Sequence, residues 1–544
     1  MFRGGNNMKK NSLVNRKLVK KIGTICLCIA VLIITGTNAF AMEKGIASHD
    51  LIFLSASELA QKIRLRQVTS LEVVDAYLAQ IAKHNGKLNA IVTLDKDGAR
   101  QRAKEADKAL IRGEIWGPLH GVPMTIKDNI ATAGMKTTSS LPALAKYVPS
   151  ADAPVVERLR KAGAIIIGKT NLPSMGMDVQ ANSPVFGTAN NPWDISRTPG
   201  GSTGGGAAAI AAGLSPLEIG NDLAGSIRIP SHFCGIYGLK PTQHMVSLSG
   251  SLPGLPTPDM PKFDFKTTPH LPVQGPLARS IDDLKLALTI IAGTDPDDVD
   301  VPLANLNDTG KKDLKKLRIA WTDDFGGVPV TAETRTALKA LAEKLSQQGC
   351  KVEKVNPPGF DFMLAWNTYG DLLDMEGFGP YLPWYARFLQ YVTGTSKRKE
   401  VPTSRMVYPM SYEKYLKVLT KRGKLIAIMD RFLTPYDAYL CPVTSTPAFN
   451  HMPPERYLGG VLPVHNGKIM VDEKALNYWV ANVSYPTIFN LTGNPVVVIP
   501  MGHTQQGLPL GVQIVGKRWH DMELLSVAKT IDGASGAFRH PPGY

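Results

Sequence analysis

Apolar and polar residues along the chain form blocks that predict helices followed directly by buried strands. Residues 155–162 place apolar side chains on one face and end at Gly163, which indicates a helix. The run 164–167 (Ala-Ile-Ile-Ile) follows, and such a run is typical of a strand buried on both faces. The same order returns with a helical pattern over 332–345 and strand-like alternation over 350–355. Helices that alternate with apolar strands predict an α/β layered fold.

A strand that ends near a lysine is predicted over 121–129. Val122, Met124 and Ile126 alternate along it, so Lys127 lies on the opposite face near its end. Burial disfavours the charged form of a lysine and lowers its pKa, and a neutral amine can act as a base. Lys127 is therefore a candidate base, although most single lysines are simply solvated.

A dense glycine segment, residues 199–206, surrounds Ser202. An alanine-rich run at 207–212 follows it, so we predict a tight turn that enters a closely packed helix. The G-x-S-x-G pattern around Ser202 also matches the nucleophile elbow of α/β-hydrolases. That motif needs a preceding strand, whereas residues 190–199 have the composition of a loop. A phosphate-binding loop needs the same strand and a Lys-Ser or Lys-Thr pair, and the sequence has neither.

A second serine, Ser226, lies in the segment 220–230. Residues 217–219 before it are compatible with a short strand. The small residues around Ser226 leave successive backbone N–H groups free to point at one place, which is what an oxyanion hole requires. Taken alone, the segment is also compatible with an ordinary turn.

These three segments, in this order, resemble the amidase signature family. Ser202 and Ser226 are 24 residues apart, which is similar to the spacing of the two serines in that family. The resemblance extends over about Ser55 to Ile531 and is weakest near 356–430. Further matching segments are Asn182, Phe186-Gly187, Asn191-Pro192, 235–242, Asp437-Ala438, Pro442, Pro447-Ala448, Gly493-Asn494-Pro495, Pro500-Met501-Gly502 and 507–516.

The resemblance implies a catalytic triad with Ser226 as nucleophile, Ser202 as a bridging serine in a cis peptide, and Lys127 as base. A serine hydroxyl is a weak nucleophile until a base takes its proton, so this arrangement is chemically sound. The implied oxyanion donors are the backbone N–H groups of Leu223, Ala224, Gly225 and Ser226, and the implied supporting residues are Thr203, Asp222 and Arg228.

The resemblance also implies the architecture. We expect one amidase domain over 42–544, with one large mixed β-sheet covered by helices on both faces. An inserted helical region at about 356–430 would line the substrate pocket. Neither a cofactor nor a metal is expected. Position 224 departs from the family, which commonly has glycine there, and the extra methyl of Ala224 bears on rate and substrate range.

The net charge of +15 at first suggests a nucleic-acid partner. Nearly half of this excess lies before residue 41, where seven basic residues occur without an acid. The other basic cluster, at 311–318, lacks interleaved aromatic residues and is typical of a solvated helix face. We therefore expect no nucleic-acid binding.

The N-terminus predicts a secretory signal. A basic stretch precedes the apolar run 25–34, and Asn38-Ala39-Phe40-Ala41 has the A-x-A form of a cleavage site. We expect a signal peptide over 1–41, a periplasmic or secreted location, and no stable membrane association after cleavage. An uncleaved anchor is the alternative, but the run is short for a full span.

Two features have more than one interpretation. The aromatic-rich stretch 361–391 fits either core packing of the inserted region or the wall of an apolar pocket. Cys234, Cys350 and Cys441 remain after signal removal, and the sequence does not select a disulfide among them.

Together these features predict a stand-alone amidase that cleaves a small-molecule carboxylic amide to a carboxylate and ammonia or an amine. A carboxylesterase on the same triad is one alternative, and the A-type subunit of a glutaminyl- or asparaginyl-tRNA amidotransferase is another. The signal segment disfavours such a cytosolic component. The intact Lys127, Ser202 and Ser226 disfavour a third alternative, a non-catalytic binding protein. The sequence leaves open whether the protein forms a homodimer.

Overall fold

The computed structural model of the protein describes residues 48–252, 269–378, 384–385, 387–388, 392, 407–458 and 462–544. The expected signal peptide over 1–41 lies outside these residues. Residues Ser48–Tyr544 form one compact unit. Among the helices described, none is both long and apolar enough to cross a membrane.

A large mixed β-sheet forms the centre of the fold, and three two-stranded sheets lie beside it. The strands are β1 (Ile91–Leu94), β2 (Pro123–Lys127), β3 (Ile165–Thr170), β4 (Asn182–Ser183), β5 (Gly187–Thr188), β6 (Leu217–Asp222), β7 (Tyr237–Lys240), β8 (Val273–Ala278), β9 (Arg318–Trp321), β10 (Lys351–Lys354), β11 (Ala438–Pro442), β12 (Arg456–Leu458), β13 (Leu462–Val464), β14 (Lys468–Val471), β15 (Lys474–Asn477), β16 (Val496–His503) and β17 (Pro509–Val515).

The large sheet has eleven strands in the order β1-β3-β2-β6-β8-β7-β16-β17-β11-β9-β10. Strand β2 is parallel to both β3 and β6, and β9 is parallel to both β10 and β11, whereas the other neighbours are antiparallel. The expected large mixed sheet is therefore confirmed.

Helices cover both faces of this sheet, which confirms the expected α/β fold. They are α1 (Ser48–Leu51), α2 (Ala56–Arg64), α3 (Ser70–Leu88), α4 (Lys96–Ile111), α5 (Pro154–Lys161), α6 (Gly204–Ala211), α7 (Arg228–Cys234), α8 (Ile281–Ile291), α9 (Ala332–Gln347), α10 (Phe362–Leu372), α11 (Tyr412–Leu433), α12 (Tyr478–Thr492) and α13 (Asp521–Ser535).

The hydrophobic pattern located these elements well. The helix predicted over 155–162 is α5, and the apolar run that follows it is β3, in which every residue is buried. The segment 350–355 contains β10. Its side chains are mostly exposed because β10 is an edge strand of the sheet.

The basic cluster at 311–318 does not form the expected helix. It lies on irregular backbone and a single 3₁₀ turn, Leu314–Lys316, that leads into β9. Lys312 pairs with Glu523 at 2.9 Å, so part of the cluster is bound to α13.

The predicted insertion at 356–430 contains α10, a π-helical turn at Leu373–Phe378 and the first part of α11. Helix α10 packs against α11 and α12. Because Asn490 of α12 donates to Asp222, this packing places part of the inserted region next to a helix that contacts the segment before Ser226.

Candidate active site

Lys127 is the last residue of β2, and its side chain is completely buried. Burial lowers the pKa of its amine to about 7, because loss of water disfavours the charged form more than the carboxylates of Asp222 and Glu218 favour it. A substantial share of the amine is therefore uncharged near neutral pH, as a general base requires.

Ser202 lies in the loop before α6 and follows a cis peptide bond, Gly201–Ser202. Its side chain is only 1% exposed. A Cβ atom at Gly201 would lie 2.7 Å from backbone atoms of Val179 and Gln180, so only glycine fits there. A Cβ atom at Gly176 would lie 3.2 Å from Ser202 Oγ, so this glycine borders the hydroxyl itself.

The amine of Lys127 contacts two polar side chains. Its Nζ lies 2.7 Å from Ser202 Oγ and 2.6 Å from Asn221 Oδ1. Asn221 is near the end of β6, the parallel neighbour of β2, and its Nδ2 donates to Ser251 Oγ at 3.2 Å. The two strands thus bring the amine and the amide to one point beside Ser202.

Ser226 follows β6 in the loop that leads to α7. It is 8% exposed, so it is the most accessible of the three expected catalytic residues. The N–H of Thr203 donates to Ser226 O at 3.1 Å, which joins the two serine loops one residue from Ser202. The structure therefore brings Lys127, Ser202 and Ser226 together at one end of β2 and β6.

A buried ion pair between Asp222 and Arg228 closes the loop that carries Ser226. Arg228 donates to Asp222 Oδ1 at 2.8 Å and to Oδ2 at 3.0 Å, and it also donates to Asn490 and Gln513. Burial alone would raise the pKa of Asp222, but the charge and hydrogen bonds of Arg228 outweigh it and hold the pKa well below its usual range. Asp222 therefore stays ionised and fixes both ends of the loop.

Asp222 also directs one backbone group that was expected to bind the oxyanion. Its Oδ1 accepts the N–H of Gly225 at 2.9 Å, so in this conformation that N–H is not available to a substrate oxygen. Within the described residues, the N–H groups of Leu223, Ala224 and Ser226 have no protein acceptor. These three remain the candidate oxyanion donors.

Ala224 is accommodated without strain, whereas its neighbour must be glycine. The φ angle of Gly225 is 107°, and a Cβ atom there would lie within 2.9 Å of Ile229 and Pro486. Ala224 does not have a positive φ angle, and its methyl packs between two apolar clusters. The methyl therefore restricts the volume beside Ser226 rather than the backbone.

The aromatic residues of the inserted region serve different purposes. Trp366 and Tyr369 are only 1% exposed and belong to the core, and the Tyr369 hydroxyl donates to Leu223 O at 2.9 Å. Trp384 and Tyr385 are exposed at 71% and 62%. Tyr381 and Tyr391, also part of the predicted stretch, lie outside the described residues. The buried members support the core interpretation, and Tyr369 supports the oxyanion loop as well.

Two residues near the amine were missed in the sequence, and both lie on β6. Asn221 contacts Lys127 directly. Glu218 is fully buried and accepts a hydrogen bond from the Thr170 hydroxyl at 2.6 Å, and burial raises its pKa to about 7. The signal available was an acid and an amide within β6, the strand that ends at Asp222 and enters the Ser226 loop.

No cofactor site was expected, and the described residues contain no cluster of three or more His, Cys, Asp or Glu that could hold a metal ion. The thiols of Cys234, Cys350 and Cys441 are buried and unbridged, so none of the disulfides left open by the sequence is formed.

Comparison with known families gives a match over most of the chain. The family model described as Amidase matches residues 72–525. The chain belongs to the amidase family. This confirms the family resemblance inferred from the two serine loops and the lysine strand.

Curated relatives of this amidase-family chain include components of a larger enzyme. The A-type subunit of glutamyl-tRNA(Gln) amidotransferase from Alkaliphilus metalliredigens (strain QYMF) is 32% identical over 499 residues, which cover 88% of this chain and 95% of that protein. The protein of the same name from Geobacillus stearothermophilus is 32% identical over 513 residues, which cover 90% and 98%.

Solved amidase-family structures with different named substrates share the fold. A fatty acid amide hydrolase matches with a TM-score of 0.73 at 23% identity, over 90% of this chain and 86% of that one. A 6-aminohexanoate cyclic dimer hydrolase in complex with its substrate matches with a TM-score of 0.68 at 25% identity, over 90% and 99%. The fold therefore does not select the substrate.

Proposed function

We propose that this amidase-family protein hydrolyses a small-molecule carboxylic amide through an acyl-enzyme on Ser226. In this proposal Lys127 is the base and Ser202 relays the proton between the amine and the nucleophile. The bond that is cleaved is a carbon–nitrogen bond of a linear amide, and the products are a carboxylate and ammonia or an amine.

The observation that carries the proposal is the contact between Lys127 Nζ and Ser202 Oγ at 2.7 Å. Both side chains are buried, so bulk water does not compete for this hydrogen bond. The lowered pKa of Lys127, about 7, provides free base at neutral pH. A buried neutral amine against a serine hydroxyl is chemically suited to proton abstraction.

The proton route follows from this contact. Lys127 takes the proton of Ser202 while Ser202 Oγ takes that of Ser226, and Ser226 Oγ bonds to the amide carbonyl carbon. The proton then returns through Ser202 to the amide nitrogen as the carbon–nitrogen bond breaks. Water attacks the Ser226 ester by the same route and releases the carboxylate and the free serine.

The developing negative charge would be held by backbone N–H groups of Leu223, Ala224 and Ser226. Removal of one such donor in an acyl-transfer site typically costs about 10²–10³ in kcat. The ion pair of Asp222 and Arg228 supports this by fixing the loop that presents the donors. The apolar clusters that flank Ala224 favour a substrate whose acyl group is apolar next to the carbonyl.

The direct test is Ser226→Ala, assayed for release of amine or ammonia from a panel of aryl, fatty-acyl and amino-acid amides. We expect no turnover and an unchanged fold. Ser346→Ala, a substitution of an exposed serine on α9, is the matched control and should keep full activity. Full turnover by the Ser226→Ala variant would refute the assignment of Ser226 as the nucleophile.

A second candidate function is favoured by the curated relatives. The A-type components of glutamyl-tRNA(Gln) amidotransferase are 32% identical over nearly the whole chain, so this protein could act as the corresponding component of such an enzyme. In that role the same triad would release the amide nitrogen for transfer to glutamyl-tRNA(Gln) rather than into solution.

The two candidates differ in their need for partners. A stand-alone amidase turns over amides as the purified chain. An amidotransferase component would hydrolyse L-glutamine slowly alone and faster with the remaining amidotransferase subunits and charged tRNA. Stimulation of at least tenfold by those partners would favour the amidotransferase role, and full activity without them would favour the stand-alone enzyme.

A carboxylesterase would use the same acyl-enzyme, because an ester carbonyl accepts the same attack. Matched amide and ester substrates with one acyl group separate the two. We expect both to acylate Ser226, with the amide depending more strongly on the Ser202 relay because its leaving nitrogen must be protonated.

We also propose that the protein acts in the periplasm or outside the cell. The basic stretch, the apolar run 25–34 and the A-x-A pattern at 39–41 support export. N-terminal sequencing of the exported protein should begin at Met42. A start at Met1 or Met8 would contradict cleavage.

A further inference from the structure

We propose that Asn221 is a positioning residue for the catalytic base. Its side-chain carbonyl oxygen holds one N–H of Lys127, so that the lone pair of the amine faces the hydroxyl of Ser202. This inference rests on the proposed function, because it assumes that Lys127 is the base.

The geometry around Nζ carries the inference. A neutral lysine amine has two hydrogens and one lone pair, and Nζ lies 2.6 Å from Asn221 Oδ1 and 2.7 Å from Ser202 Oγ. A carbonyl oxygen can only accept, so the contact with Asn221 must use a hydrogen of the amine. That contact takes one of the two hydrogens, so one hydrogen and the lone pair remain, and the 2.7 Å contact allows the lone pair to accept the Ser202 proton, as base catalysis requires.

The orientation of the Asn221 amide is itself fixed. Its Nδ2 donates to Ser251 Oγ at 3.2 Å, so its oxygen faces the amine. The backbone of Asn221 pairs with Gln274 of β8, and its carbonyl oxygen accepts from the Thr203 hydroxyl at 3.4 Å. These contacts hold the acceptor in place from three sides.

The neutrality of Asn221 matters because other charges also face Lys127. Asp222 is compensated by its ion pair with Arg228, and Glu218 has a raised pKa in its buried site next to Thr170. Two further lysines interact electrostatically with these acids: Lys169 on β3 with Glu218, and Lys240 on β7 with Asp222. A carboxylate at position 221 would add an uncompensated negative charge in contact with the amine.

The substitution Asn221→Asp therefore tests the inference while leaving the size of the side chain nearly unchanged. An opposite charge at this distance raises a lysine pKa by about 1–3 units. A shift of about 2 units would lower the free base at pH 7 roughly 50-fold. We expect the rate at which a fluorophosphonate probe labels Ser226 to fall by that factor at pH 7 and to recover by pH 10.

Two further variants separate positioning from a general structural effect. Asn221→Ala removes the acceptor without adding charge, so labelling should fall at every pH with an unmoved midpoint. Asn307→Asp adds the same charge on an exposed coil and should behave as the wild type. Circular dichroism spectra of all variants check the fold.

If the folded Asn221→Asp variant showed the same midpoint as the wild type in the pH dependence of Ser226 labelling, the inference would be overturned. Should that variant fail to fold, the Asn221→Ala variant decides. Wild-type labelling rates in Asn221→Ala would overturn the inference, and slower labelling at every pH would support it. Failure of the proposed function gives a different result, because Lys127→Ala would then be labelled at the wild-type rate.

Discussion

The pH dependence of amide hydrolysis follows from the burial of Lys127. At its ordinary pKa of 10.5, an amine is uncharged in about one molecule in 3,000 at pH 7. With the pKa lowered to about 7, about half of the molecules carry a free base at that pH. Burial at the end of β2 thus increases the available base more than about 1,000-fold.

The base acts only when it is deprotonated, so kcat/KM should rise with pH and level off above about pH 7. Below the midpoint we expect a fall of about tenfold per pH unit. The assay is hydrolysis of an uncharged anilide between pH 5 and 10, because such a substrate does not titrate in that range. Lys127→Ala should lose activity by about 10²–10⁴, and more at neutral than at high pH, where hydroxide can replace the base.

Glu218 and Lys240 are also buried and have pKa values of about 7, so both titrate close to the same midpoint. Lys240→Met removes one of them at a position where the amine donates to Pro241 O. This variant should keep the midpoint if Lys127 is responsible. A midpoint that disappears in Lys240→Met, or a pH profile of Lys127→Ala identical to wild type, would refute the reasoning.

Three further predictions concern the surroundings of the site. Arg228→Ala leaves a buried carboxylate uncompensated, so we expect a loss of about 3–5 kcal/mol in calorimetric unfolding, and an unchanged melting profile would contradict the ion pair's role. Gly176 has a φ angle of 69°, and Gly176→Ala places a methyl 3.2 Å from Ser202 Oγ. We expect kcat to fall while KM changes little, and an unchanged kcat would argue against close packing at this position. Glu218→Gln removes an acid that favours charged Lys127, so the midpoint of the pH profile should move to lower pH, and an upward shift would contradict this.

Much of the active site was accessible from the sequence because it lies where regular patterns end. The alternation before Lys127 and the short apolar strand before Ser226 both locate the end of a strand, and the structure has β2 and β6 ending there. The loop composition before Ser202 disfavoured a nucleophile elbow, and in the structure no strand of the large sheet directly precedes that serine.

Other features depend on contacts between distant segments and were not accessible. The engagement of the Gly225 N–H by Asp222 is a matter of loop conformation, which small residues leave undetermined. The role of Asn221 arises only when β2 and β6 pair in parallel. The strand order across the sheet also joins segments far apart in sequence, such as β7 and β16, for which no local pattern exists.

The central claim is that Ser226 carries the acyl group during turnover. The most direct measurement is an acid quench of the reaction with an activated aryl ester, which acylates the enzyme faster than the acyl-enzyme is hydrolysed, followed by digestion and mass spectrometry of the serine-containing peptides. We predict one acyl group, located on Ser226, and none in Ser226→Ala. An adduct on Ser202, or steady turnover without any adduct on Ser226, would contradict the account.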